Sequence, residues 1–212
     1  MDKAGGRMLR LGITGGAGSG KSAVCERLRW QGASVIQADE LARRAVMPEM
    51  PAYEKIVAAF GEAVLAADGG IDRARLRRNI ISDSAKKELL EKIVHPEVSR
   101  LMQKELEAAG QSGAALAAVE VPLLFETGME SFFDFVLTVS ADPEVRIRRL
   151  LSRDHISRED ASALMGIQMP EEEKRRRSEF VIDNSGSLSQ THADVDRLYK
   201  ELLKVREKHE KC

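Results

Sequence analysis

Gly15-Gly-Ala-Gly-Ser-Gly20-Lys21-Ser22 fits the pattern G-x-x-x-x-G-K-[ST], and no other stretch so narrows what the chain can fold into. A short apolar run, Arg10-Leu-Gly-Ile-Thr14, precedes it, and an amphipathic stretch begins near Lys21. Strand, glycine-rich loop and helix are the context this pattern needs, and a glycine-rich turn that matched by accident would lack them. The glycines let the backbone turn inward, so that successive N–H groups face one anion and the helix offers its positive end to the same phosphates. Lys21 then reaches the β and γ phosphates as a mobile point charge, and the Ser22 hydroxyl suits a Mg²⁺ ligand. On this reading Gly16, Ala17, Gly18, Ser19, Gly20, Lys21 and Ser22 bind ATP.

Four further apolar runs follow: Ala33–Ile36, Leu116–Leu124, Phe135–Val139 and Phe180–Asp183. Runs apolar for most of their length suit parallel strands covered on both faces, and their alternation with helical stretches predicts a doubly wound α/β core. The expected fold is a three-layer P-loop NTPase/kinase-type domain with a five-stranded parallel sheet. Residues 8–39, 115–141 and 180–206 would form the nucleotide-binding core. Residues 40–114 hold helical segments at 52–60, 73–81, 85–94 and 96–109, room for a helical acceptor-binding insertion, with a helix boundary expected at His95-Pro96. Residues 142–179 are charged and helical, broken near Met169-Pro170, and read as a hinged pair of helices forming a lid.

A phosphate-binding loop does not say what is done with the phosphate. A switch GTPase carries an N-K-x-D guanine reader, which is missing; the D-x-x-G at Asp183–Gly186 follows the last strand and is misplaced. The L-S-G-G-Q-like signature of transport ATPases is missing too. Lys plus Arg number 33 against 34 Asp plus Glu, a net charge of -1, which disfavours a nucleic-acid or anionic-lipid partner held by bulk charge. The longest apolar runs, such as Ala114–Val119, fall far short of the roughly 20 residues of a membrane span. Cys25 and Cys212 are far apart and suggest two ordinary thiols in a reducing compartment, Cys25 serving helix packing. Residues 1–7 read as a polar leader without structural duty. A cytoplasmic small-molecule kinase remains, acting as a monomer or small homo-oligomer.

On the acceptor side, Asp39 follows the second strand, where a carboxylate can take a proton from an attacking hydroxyl; it can equally be the N-cap of a helix beginning at Glu40. Glu120 interrupts an apolar strand, so it either serves Mg²⁺ or forms a buried ion pair with an arginine. Arg146, Arg149 and Arg153 share one helical face by their spacing, for phosphates or for solvent with Asp142, Glu144 and Asp154 as partners. Arg175-Arg-Arg177 after Glu171-Glu-Glu173 reads as an exposed helix with i,i+4 pairs. His95 alone reads as a structural hydrogen-bonding residue.

The order of motifs resembles the dephospho-CoA kinase family from about Leu9 to about Tyr199. The resemblance is carried by Gly12-Ile-Thr-Gly-Gly-Ala-Gly-Ser-Gly-Lys-Ser22, Val35-Ile-Gln-Ala-Asp-Glu-Leu-Ala-Arg43, His95-Pro96, Val121-Pro-Leu-Leu-Phe-Glu126, Arg149, Arg153-Asp154 and Val181-Ile-Asp-Asn184. It implies transfer of the ATP γ-phosphoryl group to the ribose 3'-hydroxyl of dephospho-CoA with Mg²⁺. It also implies Asp39 as base, with Lys21 the other catalytic residue. Arg149 and Arg153 become phosphate contacts, and Arg43, Arg73 and His95 acceptor-side residues. Leu124, Phe125 and Glu126 would lie near the acceptor, Asn184 in the loop that meets adenine, and Ser22 and Glu120 near the metal. Arg146 gains no such support. Where the family usually reads D-A-D, this chain has Gln37-Ala38-Asp39. The runner-up is another small-molecule P-loop kinase, such as a nucleoside monophosphate kinase; a nucleotide-dependent binding module without turnover is disfavoured by Asp39 and the arginines.

Overall fold

The computed structural model describes residues 7–81 and 83–209. Residues 1–6 and Cys212 lie outside the described residues. Arg7, expected to be idle, donates to Asp134 at 2.7 Å.

Five strands, β1 (Leu9–Thr14), β2 (Ser34–Gln37), β3 (Leu116–Glu120), β4 (Phe135–Ser140) and β5 (Phe180–Asp183), form one sheet in the order β2-β3-β1-β4-β5. All four pairings are parallel, as expected for apolar runs joined by helical crossovers. Alternation divides the sheet into two faces. Leu9, Leu11 and Ile13 of β1 and Leu137 and Val139 of β4 meet one layer of helix: Val24, Cys25 and Leu28 of α1 (Lys21–Trp30) and Val195, Leu198 and Leu202 of α9 (Leu188–His209). The other face carries Gly12, Thr14 and Thr138. A Cβ at Gly12 would come within 2.7 Å of Leu124 and Phe133, and the Thr138 hydroxyl donates to the carbonyl of Lys174 in α8 (Glu171–Arg177).

β3 stops at Glu120 rather than at Leu124. Val121 still donates to Ile13, but Pro122 has no N–H to offer a ladder, and the chain turns, with Thr127 donating back to Leu123. The 142–179 stretch forms three helices where two were expected: α6 (Pro143–Asp154), α7 (Arg158–Gly166) and α8. The additional break falls at His155, in the left-handed region, followed by Ser157, which caps α7 by accepting from Asp160 N.

Residues Ala38–Glu107 form a second compact unit, distinct from Met1–Gln37 with Ala108–Cys212. The second unit holds α2 (Ala38–Ala45), α3 (Pro51–Phe60), α4 (Arg73–Ile80) and most of α5 (Ser84–Gln111). Its core joins Ile56, Val64 and Leu76 to Val46, Phe60, Ile71, Leu90, Ile93 and Val94. No helix boundary falls at His95-Pro96, because α5 runs through Pro96. Proline removes one backbone bond there. Apolar packing on both sides, at Ile93 and Val94 before it and the buried Leu101 and Met102 after it, keeps the helix continuous. Among the described residues no helix is long and apolar enough to cross a membrane.

Candidate active site

The loop between β1 and α1 depends on glycine where the backbone enters the left-handed region, at Gly18 (φ 76°) and Gly20 (φ 87°). Gly20 caps α1 with no side chain of its own, so no cap side chain covers the first turn, the end of a helix that suits an anion. A cavity of about 580 Å³ lies here, lined by Gly18, Gly20, Ser22, Val145, Arg148, Arg149, Ser152 and Arg153. The Lys21 ammonium donates to the Gly15 carbonyl at 2.9 Å and to that of Gly16 at 3.4 Å.

The front of the loop is held by protein. Ala17 N–H donates to the Gln168 side chain at 2.7 Å, and Ala17 C=O accepts from Arg146 Nε at 2.9 Å. Its methyl packs on the cluster of Ile147, Leu150 and Ala161 from α6 and α7. Ala17, expected among the ATP-binding residues, therefore has its N–H directed to the protein. Ser19 is buried, and its carbonyl accepts from Asn184 Nδ2 at 2.8 Å and from Arg149 Nη1 at 3.2 Å. Asn184 was expected to meet adenine; its buried amide is used at both ends, Oδ1 accepting from the Thr191 hydroxyl at 2.6 Å, so it braces the loop.

The three arginines on one face of α6 have three different fates. Arg146 is 6% exposed and pairs with Glu171, whose other oxygen accepts from Ala141 N at 3.1 Å. Arg149 lines the cavity and donates to the carbonyls of Ser19 and Asn184. Arg153 lines the cavity and pairs with Asp154 at 2.7 Å. Spacing along a helix gives a common face but not a common depth. Arg148, outside the predicted series, also lines the cavity; its adjacency to Arg149 was the available signal. In α8, Arg175 and Arg176 pair at i,i+3 with Glu172 and Glu173, and Arg177 pairs with Glu130 across the chain, not at the expected i,i+4.

Glu120 lies beside Gln37, its register partner in β2, whose amide donates to Oε2 at 3.5 Å, while the Cys25 thiol approaches the same oxygen at 3.7 Å. No arginine pairs with Glu120 among the described residues, so the buried Arg pair considered above is not formed. Burial, reinforced by the Glu120 charge, pushes the Cys25 thiol up to about 12. Among the described residues no three His, Cys, Asp or Glu side chains cluster as a ready-made metal site. The exposed Ser22 hydroxyl at the cavity is a donor of the kind that can complete a Mg²⁺ shell supplied mainly by nucleotide phosphates.

In the 121–126 segment, Leu124 is fully buried, and its side chain fills the sheet face at Gly12 rather than a surface. Phe125 is covered by the Arg177 guanidinium 4.6 Å from its ring centre. Glu126 accepts from Lys174 Nζ at 2.8 Å and from Met169 N–H at 2.9 Å. Its partial burial opposes ionisation, but these donors outweigh it and hold the carboxyl below its ordinary range. Lys174 is fully buried, a position no periodicity argument reached. In the second unit, Asp39 lies inside the first turn of α2, which starts at Ala38, so the helix it was to cap from outside does not begin at Glu40. Asp39, Arg43, Arg73 and His95 are exposed. Among the described residues the His95 side chain makes no hydrogen bond within α5 or beyond it, so it does not serve as the structural tie expected of it alone.

Parallel strands in this order, with a glycine-rich loop leading from β1 into α1 beside an arginine-lined cavity, define a P-loop kinase-type domain. The fold is shared with a shikimate kinase from Acinetobacter baumannii, at a TM-score of 0.52 and 14% identity over 95% of this chain and 97% of that one. A family model described as dephospho-CoA kinase matches residues 9–190, and the chain belongs to that family. A dephospho-CoA kinase of Syntrophotalea carbinolica is 42% identical over 196 residues, 92% of this chain and 93% of its own. Among solved structures, TT1252 from Thermus thermophilus superposes with a TM-score of 0.81 at 41% identity over 92% of this chain and 98% of that one. A dephospho-CoA kinase from Campylobacter jejuni gives 0.70 at 26%, over 92% and 97%.

Proposed function

We propose that the chain phosphorylates the ribose 3'-hydroxyl of dephospho-CoA with ATP, giving coenzyme A and ADP, the last step of coenzyme A synthesis. The observation that carries this reading is the family match over residues 9–190. The 3'-oxygen attacks the γ-phosphorus, the bond to the β–γ bridging oxygen breaks, and ADP leaves with that electron pair. Asp39 orients the hydroxyl and takes its proton. The ammonium of Lys21 and the guanidinium groups of Arg149 and Arg153 compensate charge on the transferring group, with Arg148 as a further contact at the same cavity. Gly16, Gly18, Ser19, Gly20 and Ser22 shape the phosphate cradle. Mg²⁺, when bound with the nucleotide, neutralises phosphate charge, and Ser22 and Glu120 would hold it or its waters. Arg43, Arg73 and His95 serve the acceptor, with Phe125 and Glu126 on the 121–126 segment. The enzyme works in the cytoplasm, as a monomer or small homo-oligomer, on diffusible substrates.

The test is ADP release with dephospho-CoA beside AMP, shikimate and pantothenate. Turnover with dephospho-CoA alone is expected; turnover with another acceptor and none with dephospho-CoA overturns the assignment. Asp39→Asn should lower kcat by about 10²–10⁴-fold, the range of a positioned base, and leave ATP affinity nearly unchanged.

A further inference from the structure

Between α7 and α8 the chain makes a short hook that grips two separate pieces of the nucleotide-binding unit. Gln168 Oε1 accepts the Ala17 N–H at the tip of the phosphate loop, 2.7 Å away. The next residue, Met169, donates its N–H to Glu126. Glu126 also holds Lys174, whose ammonium donates to the Pro122 carbonyl at 3.2 Å. Glu171, between them, is paired with Arg146, which holds the other side of the Ala17 peptide. Residues 168–174 thus fasten the loop tip and the 122–126 segment to one another.

The consequence runs through Lys21. Its ammonium rests on the carbonyls of Gly15 and Gly16, the residues just before Ala17. Where the tip lies therefore decides where those carbonyls, and the lysine on them, lie. A P-loop lysine acts on the β and γ phosphates, whereas the N–H groups at the start of the helix hold the phosphates that ADP retains.

We infer that Gln168 is a positioning residue for phosphoryl transfer: through Ala17 it sets the loop tip on which Lys21 depends. This rests on the kinase reading above. Gln168→Met keeps the chain length and removes the acceptor oxygen; Gln168→Glu keeps an acceptor there. Both are measured in the full chain for kcat and KM with ATP and dephospho-CoA, for ADP affinity by calorimetry, and for thermal midpoint. Ile167→Ala, at an exposed side chain one residue earlier, is the control and should match the parent.

The expected result for Gln168→Met is a kcat lower by about ten- to hundredfold, the scale of a misplaced catalytic group. Its ADP affinity should stay within about threefold, near the worth of one neutral hydrogen bond. Gln168→Glu should regain most of that kcat, its charge appearing instead as a raised KM for ATP. An active parent with Gln168→Met at parental kcat overturns the positioning role alone. So does an ADP affinity that falls as far as kcat, or a Gln168→Glu no better than Gln168→Met. Should Gln168→Met not fold, Gln168→Glu decides, since a kcat loss in it beyond about tenfold contradicts a role met by the acceptor oxygen. A parent that phosphorylates no acceptor overturns the reaction and the positioning role together.

Discussion

The two halves of the phosphate-binding loop are treated in opposite ways by the rest of the protein. The front half, Gly16 to Ser19, is enclosed except at Gly18, which lines the cavity: Ala17 is held at N–H, carbonyl and methyl, and Ser19 is buried under Asn184 and Arg149. The rear half, Gly20 to Ser22, opens on the cavity and runs into the first turn of α1. One eight-residue motif therefore contains a scaffold and a binding surface. Gly16 is there because the Arg146 guanidinium presses on it, whereas Gly18 and Gly20 sit where the backbone enters the left-handed region.

Replacing the charge on the open side should produce the largest effect. Lys21→Ala is expected to lower kcat by about 10²–10³-fold, as for loss of one preorganised donor to developing charge, with the thermal midpoint nearly unchanged. A large fall in melting temperature instead would place Lys21 with the scaffold. Gly16→Ala tests the enclosed side. A Cβ there would fall on the Arg146 guanidinium, which is buried and fixed by Glu171, so the substitution overpacks the site and should cost about 1–3 kcal/mol of stability by denaturant unfolding. Unchanged stability with lost activity would blur the division between the halves.

Smaller effects concern the helix that the open half begins. Asp196 of α9 binds Arg27 through both oxygens and Gln31 through one, tying α1 to α9, and the Arg27 hydrogen bond is the main cause holding its carboxyl down at about 2. A depressed carboxyl stabilises the fold above its unfolded pKa and ceases to do so as pH falls through the folded one. Stability from Asp196 should thus be complete above about pH 4 and vanish toward pH 2. In acid titration of unfolding, Asp196→Asn should flatten that limb; an unaltered limb would show that α1 is not anchored this way. Least of all should change at Cys25. With its thiol up at about 12, it should resist alkylation by iodoacetamide at pH 8 in a Cys212→Ser background, and rapid labelling would mean that the base of α1 opens.

Much of this was legible in the chain, though not evenly. The loop, its flanking strand and helix and the run of apolar strands could be read because they are local: glycine spacing and apolar runs act within a few residues. The grip on the loop could not. Gln168 lies 151 residues from Ala17 with no pattern near it, and Asn184, 165 from Ser19, was marked by its segment without any sign that it holds the loop. Arg146 was set aside and proved the most buried of the three arginines, because helical spacing reports direction and not the depth of what packs above it. Pro96 misled in the other direction, since a local helix breaker was overridden by packing on both sides of it.

By itself the sequence determined a phosphate-loop motif at the start of α1, since glycine adopts the left-handed backbone of Gly18 and Gly20 without strain and a lysine and a hydroxyl close the pattern. It also determined the parallel sheet, because strands apolar on both faces must be covered on both. Tertiary structure alone decided which backbone groups of the loop serve the protein and which face the cavity, which arginines reach that cavity, and that Lys174 lies fully buried on Glu126. Those choices depend on desolvation and on hydrogen-bond partners far away in the chain, and neither exists until the layers have packed.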